Sequence, residues 1–318
     1  MKFLRIAISA LFCVTAALAQ AADEMKQPMS IGTGSAGGVY YVLGGGMASV
    51  LTTKLGVPTN PEATNASVEN LKFIRAGKMD MGFTMADAAY DAYKGEDKFK
   101  DGKMNVRTLL ALYPNHMQVI TLDGKDINKL ADLKGKRVGT GPANSGTEVM
   151  ALRLLKAAGM DKDITRERLP IAQMADALKD GKIDAFFWVS GIPAAAVSDL
   201  ASTPGMKIKL LDHAEYADVM NKEFGPLYSK SAIPAKSYAG QDKAVANITV
   251  WNLLVVDAKM SDNVAYKITK TLFESQPELA KVHKEALNIA LQNQGVTSPI
   301  PYHPGAAKYL KEKGIAIQ

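Results

Sequence analysis

Two glycine-rich turns in this chain carry hydroxyls at spacings suited to holding an anion. One is Gly32-Thr33-Gly34-Ser35-Ala36-Gly37-Gly38, and the other is Gly139-Thr140-Gly141-Pro142-Ala143-Asn144-Ser145-Gly146-Thr147. Glycine lets a backbone turn tightly, and the exposed N–H groups at the helix start that follows combine with the helix dipole into an anion site. Ser35, Ser145 and Thr147 would add hydroxyl donors. Each charge-assisted bond to a carboxylate contributes about 1.5–3 kcal/mol before desolvation is set against it. For any one of the three, capping its own helix is an equal reading. Gly32, Gly34 and Gly37 also match the dinucleotide fingerprint, which makes a nucleotide-dependent enzyme the alternative. That fingerprint needs an acidic residue about 20 positions on. Residues 52–55 are Thr-Thr-Lys-Leu, and the next acid, Glu62, sits beside Pro61.

Signals for catalysis are weak. The four histidines, His116, His213, His283 and His303, are far apart and lack metal-ligand spacing. There is no Gly-x-Ser-x-Gly elbow, and Asp161-x-Asp163 lacks the rest of a calcium loop. No metal or cofactor is expected, and the expected activity is capture rather than reaction. Asp80 and Asp184, with Lys78 and Lys182, recur at matching places, and turn positions explain them better than chemistry.

The elements that must position these turns form a near-repeat. In each half a short strand runs into the glycine turn. A helix follows, with Leu43, Met47 and Val50 on one face in the first half and Val149, Leu152 and Leu155 in the second. A second helix then starts near Ser67-Val68-Glu69-Asn70 or Met174, and a Gly-Lys-x-Asp turn leads into a last strand. From Gly32 to Gly77 is 45 positions, and from Gly139 to Gly181 is 42. Strands alternating with helices predict parallel α/β sheets, whose carboxyl edge is where ligands bind. The expected fold class is α/β: two α/β lobes joined by two crossings around a ligand cleft. Residues 22–115 plus 246–318 would form lobe 1, and residues 116–245 lobe 2, with crossings near residues 113–118 and 243–249. In the tail the pattern predicts a strand over residues 248–256 and a helix from Ser261. A helix from Pro277 to Leu291 and a short last helix would follow. Tyr113, before Pro114 at one crossing, is a candidate for the cleft wall.

Composition agrees with a soluble, core-forming protein. The 318 residues include 47% apolar and 22% charged residues, and one cysteine, Cys13. Lys2 and Arg5, the apolar run over residues 6–18 and Ala19-Gln20-Ala21 have the layout of a secretory signal peptide over residues 1–21. A cysteine-free remainder suits an oxidising periplasm. The formal charge is +6, or +4 once Lys2 and Arg5 are removed. The lysines are scattered, so nucleic acid is not an expected partner.

Several stretches resemble the TAXI family of TRAP-transporter solute-binding proteins. They are residues 31–41, Ser67-Val68-Glu69-Asn70-Leu71, residues 76–83, Leu112-Tyr113-Pro114, residues 132–138, Ser145-Gly146-Thr147, residues 180–187 and His303-Pro304-Gly305-Ala306. The resemblance implies a two-lobed periplasmic-binding-protein (Venus-flytrap) fold and a periplasmic protein, expected to be a monomer, that delivers a small anionic ligand to the small and large membrane subunits of a tripartite ATP-independent transporter. The ligand would be a carboxylate of two to six carbons, an organic acid or an acidic amino acid. The contacts it implies are Gly34, Ser35, Ala36, Gly37, Tyr40, Ser67, Val68, Asn70, Asp87, Tyr113, Ser145, Gly146, Thr147, Val189 and Gly191. Two departures bear on specificity: Asn65-Ala66 replaces a Gly-Gly pair, and Met85 replaces a glutamine.

Overall fold

A computed structural model describes residue 25 and residues 28–317, so the leader read at residues 1–21 lies outside the described residues. The first group of elements is β1 (Met29–Gly32), α1 (Val39–Leu55), β2 (Thr59–Glu62), α2 (Ser67–Arg75), β3 (Met81–Met85) and α3 (Ala86–Lys94). The long strand β4 (Val106–Leu122) leads to β5 (Arg137–Gly139), α4 (Gly146–Ala157), β6 (Thr165–Glu167), α5 (Ile171–Lys179), β7 (Ala185–Ser190) and α6 (Ala195–Ala201). β8 (Ile208–Leu210), α7 (Ala217–Phe224), β9 (Ser229–Ile233) and a second long strand, β10 (Val245–Asp257), come next. Then follow α8 (Asp262–Glu274), α9 (Gln276–Val282) and α10 (Pro304–Glu312).

The strands join in the order β2-β1-β3-β10-β4-β7-β5-β6, with β8 on β4 and β9 on β10. Within each group the strands are parallel, with β1 between β2 and β3 and β5 between β6 and β7. β10 is antiparallel to β3 and to β4, and β4 is antiparallel to β7. Three reversals therefore separate β3 from β7, which point in opposite senses. The carboxyl ends of the two parallel groups consequently face each other. β4 pairs with β10 up to His116 and with β7 from His116 onward, so the two long strands run continuously between the groups.

The near-repeat is real, with one addition. In both halves a short strand, β2 or β6, lies between the two helices. Neither was expected, because Thr59-Asn60-Pro61-Glu62 and Thr165-Arg166-Glu167 are short, largely exposed edge strands without an apolar alternation. The repeated residues are scaffolding. The Thr33 N–H and hydroxyl both donate to the Glu62 carbonyl, and the Thr140 N–H donates to that of Glu167. A side chain at Gly32 or Gly139 would strike Met79 and Asn70, or Met174, beneath it. Asp80 accepts the Ser30 N–H at 2.8 Å and Asp184 the Arg137 N–H at 2.9 Å, each tying the start of its sheet.

The tail differs from the periodicity in one place. Ser261 caps α8 as expected, but α9 ends at Val282 rather than Leu291, because His283 is extended. Glu285 then turns inward to accept the Ile192 N–H at 2.9 Å. That tertiary bond, and the His283 ring against the Pro193 carbonyl at 3.1 Å, override local helix preference. All four histidines bond within the fold, His116 to Asn247 and His213, His283 and His303 to the carbonyls of Leu211, Pro193 and Met260, and His213 and His303 are fully buried.

Candidate functional site

Three helix N-termini meet between the facing sheet edges. α1 opens after Gly38, α2 after Ala66 and α4 after Ser145. Between them lies a cavity walled by Gly34, Ser35, Gly38, Val39, Tyr40, Asn65, Ala66, Ser67 and Met85 from the first group. Pro142, Ser145, Gly146, Thr147, Trp188, Val189 and Ser190 close it from the second. The non-atom space between the walls is about 410 Å³, mouth included, and the centre of a water-sized sphere can move through about 30 Å³ of it. One water needs about 10–15 Å³ on that measure, so the site suits a compact molecule of few heavy atoms.

The walls are in contact on both sides of the cavity. The Glu69 N–H donates to the Asn144 carbonyl at 3.2 Å, and the Ala196 N–H to that of Gly37 at 3.3 Å. At Gly146 a Cβ would lie 2.5 Å from Ser67 Oγ and 2.8 Å from Met85 Sδ, so this approach needs glycine.

The hydroxyls are oriented by the backbone. Ser145 Oγ accepts the Glu148 N–H at 3.0 Å, Ser67 Oγ accepts the Met85 N–H at 3.1 Å, and Thr147 Oγ1 accepts the Val189 N–H at 3.3 Å. First-turn N–H groups have no partner inside their helix, and those of Gly146 and Thr147 meet no protein acceptor among the described residues. Trp188 is 7% exposed, lies against Gly38, and its Nε1–H has no partner. Tyr40 Oη contacts Asn252 Oδ1, with Asn115 beside it, and burial holds the phenol protonated above its usual range. No Lys, Arg, Asp or Glu lines the cavity.

Of the residues marked from sequence, Gly34, Ser35, Tyr40, Ser67, Ser145, Gly146, Thr147 and Val189 line this space. The others stand behind it. Ala36 is exposed, and Gly37 packs on Ala196 and Ile171. Val68 belongs to the core. Asn70 is fully buried, donating to the Thr33 and Phe83 carbonyls at 2.8 Å each and accepting from Thr64 at 2.6 Å. Asp87 is buried, accepting the Tyr228 hydroxyl at 2.9 Å and the Ala88 N–H at 2.8 Å. Tyr113 is fully buried with its hydroxyl unpartnered, and Gly191 lies against Tyr113 and Glu285. Gly38, Val39, Pro142, Trp188 and Ser190 line the cavity without being among the marked contacts. The sequence signal for the first two was their place in the glycine turn, and for Trp188 its place at the end of a strand. Asn65, Ala66 and Met85, noted only as departures from a pattern, are walls. Ala66 takes φ 72°, ψ −148°, a conformation that favours glycine.

A buried charge cluster ties α3 to α4. Arg153 lies 2.6 Å from Asp91, 3.5 Å from Asp97 and 3.7 Å from Asp87, and its Nη1 donates to Tyr228 Oη at 2.9 Å. Burial pushes the Asp91 carboxyl up to about 7 and raises Asp87, against the pull of Arg153.

Glu62 ends β2, where the dinucleotide fingerprint wants an acid. With the walls in this arrangement, the cavity beside that turn is too small for a dinucleotide.

The family model of the NMT1-like family matches residues 31–314. Among solved structures, the fold is similar to a protein of Bordetella bronchiseptica RB50, at 18% identity over 90% of this chain and 89% of that one, TM-score 0.53. A putative L-cystine ABC transporter from Listeria monocytogenes matches at 18% identity over 82% and 96%, TM-score 0.51. The periplasmic aliphatic sulphonate binding protein SsuA from Escherichia coli matches at 16% identity over 90% and 84%, TM-score 0.50. The architecture is thus a mixed α/β fold of the periplasmic-binding-protein type. Among the described residues no helix is long and apolar enough to cross a membrane.

Proposed function

Given that the chain belongs to the NMT1-like family, we propose that it is the solute-binding component of a transporter, capturing a small carboxylate without altering it. The observation that carries this reading is the convergence of three helix N-termini and three backbone-oriented hydroxyls on one cavity. Donors fixed in place before binding cost little to organise, and helix N-termini favour negative charge. Of the described residues, those up to 115 together with those from 246 on form one lobe and residues 116–245 the other, and bending of β4 and β10 opens the site to solvent. The titles of similar structures name transport binding proteins, which supports the reading at the level of class. The leader places the chain in the periplasm, and the motif resemblance makes its partners the membrane subunits of a TRAP transporter.

A thermal-shift screen of monocarboxylates, dicarboxylates and amino acids, followed by calorimetric titration, tests the proposal. At a hundredfold excess over Kd the right solute should stabilise the protein by about 2.7 kcal/mol. Trp188 fluorescence should change on binding, since its indole forms one wall. A panel in which no compound shifts the melting temperature would refute capture of a small carboxylate.

A further inference from the structure

We infer that the captured solute is a monocarboxylate of about three to five carbons with no ammonium group and a short apolar tail; this rests on the binding reading above and narrows it. The inference comes from counting what the walls offer. Ser145 and Thr147 each use a hydroxyl oxygen to accept a backbone N–H, which leaves their protons to donate, whereas Ser67 accepts the Met85 N–H and gives its proton to Tyr40. The N–H groups of Gly146 and Thr147 and the indole N–H of the nine-tenths buried Trp188 are further donors. A carboxylate, which only accepts, matches such a set.

An ammonium finds no counter-charge. Among the described residues the carboxylates packed behind the walls are already engaged: Asp87 by Tyr228 and Arg153, Glu69 by the backbone and side chain of Asn65, Glu148 by the Asn144 N–H, Arg166 and Arg168, and Glu285 by the Ile192 N–H and Asn288. The Asn65 amide oxygen is a neutral acceptor and cannot balance a buried cation. A second carboxylate fares no better, because no Lys or Arg lines the space. Beside the hydroxyls of Ser35, Tyr40 and Ser190, the rest of the wall is Val39, Ala66, Met85, Pro142, Val189 and the indole face, which suits a few methylene groups. The cavity's size sets the tail's length.

The test is a matched series titrated into the purified protein: butyrate, 2-oxobutyrate, 2-aminobutyrate and succinate. Butyrate or 2-oxobutyrate should bind. 2-Aminobutyrate, which adds only an ammonium, and succinate, which adds only a second carboxylate, should bind at least about a hundredfold more weakly. Tighter binding of 2-aminobutyrate or succinate would overturn the inference and leave the binding reading standing. So would silence of all four beside a hit elsewhere in the broad screen. Silence of the whole screen would overturn both. Trp188→Phe keeps one aromatic ring and removes the donor, so, titrated at a temperature where the variant is folded, it should weaken butyrate or 2-oxobutyrate about three- to tenfold. An unchanged Kd would overturn the role given to the indole N–H.

Discussion

Replacing Arg153 with methionine should destabilise the protein far more at alkaline than at mildly acidic pH. In the native chain one guanidinium serves Asp91, Asp97 and Asp87, and its carbon stands 4.7 Å from the Phe224 ring centre. Removing one partner of a buried ion pair typically costs about 3–5 kcal/mol, because the opposite charge is left unbalanced. Spread over the 290 residues at 28–317, an unfolding entropy of about 2.1 cal/mol/K per residue turns that cost into a fall of roughly 5–8 °C in Tm. The pH dependence follows from the raised carboxyls. Asp91 titrates near 7 in the folded protein against about 3.9 unfolded. Between those values the native state holds a proton that the unfolded chain has lost, so native stability falls as pH rises through this window and levels off above 7. Without Arg153 the folded carboxyls rise further, and the fall continues past 7 at up to about 1.4 kcal/mol per pH unit for one group. Urea unfolding of both proteins at pH 5.5 and 8.5 reads this directly. A penalty equal at the two pH values, or under about 1 kcal/mol at pH 8.5, would refute the account of the cluster as a charge tie between α3 and α4.

Gly146→Ala should weaken binding of whichever solute the screen identifies by at least about tenfold. Its Cβ would sit 2.5 Å from Ser67 Oγ, and ordinary contact would need the walls to part by almost an ångström; isothermal titration checks it, with unchanged affinity as the contrary result. Ala66→Gly should raise stability by about 1 kcal/mol, read from the urea midpoint, because a residue at φ 72° is strained unless it is glycine. Ser145→Ala should lose about 1 kcal/mol through the missing cap on Glu148 and also weaken solute binding, whereas a capping role alone would leave Kd unchanged.

The fold was legible because its repeat is written in packing residues. Leu43, Met47 and Val50 on α1, and Val149 and Leu155 on α4, keep helical spacing because each presents a buried face. The glycine turns recur because a close approach of helix to strand recurs. What was hidden had no local signal. β2 and β6 are edge strands of three or four mostly exposed residues. The end of α9 is set by Glu285 reaching the Ile192 N–H across 93 positions of sequence, which no window along the chain can show.

The candidate site was less legible for a related reason. Residues that repeat between the halves, such as Gly32 with Gly139, Thr33 with Thr140 and Asp80 with Asp184, do the same structural work twice and stand behind the cavity. The cavity itself is built where the halves differ. The first half contributes Ser35, Tyr40, Ala66 and Met85, and the second answers with Ser145, Gly146, Thr147 and Trp188. On the binding reading proposed above, a compact solute would meet different side chains from each direction, so symmetry between the walls would serve it poorly. Asn70, Asp87 and Tyr113 carried chemistry suited to a ligand, but burial committed the first two to Thr33, Phe83, Tyr228 and Arg153. Recognition then falls to backbone N–H groups and small hydroxyls, whose residue types announce little until the fold brings three helix ends together.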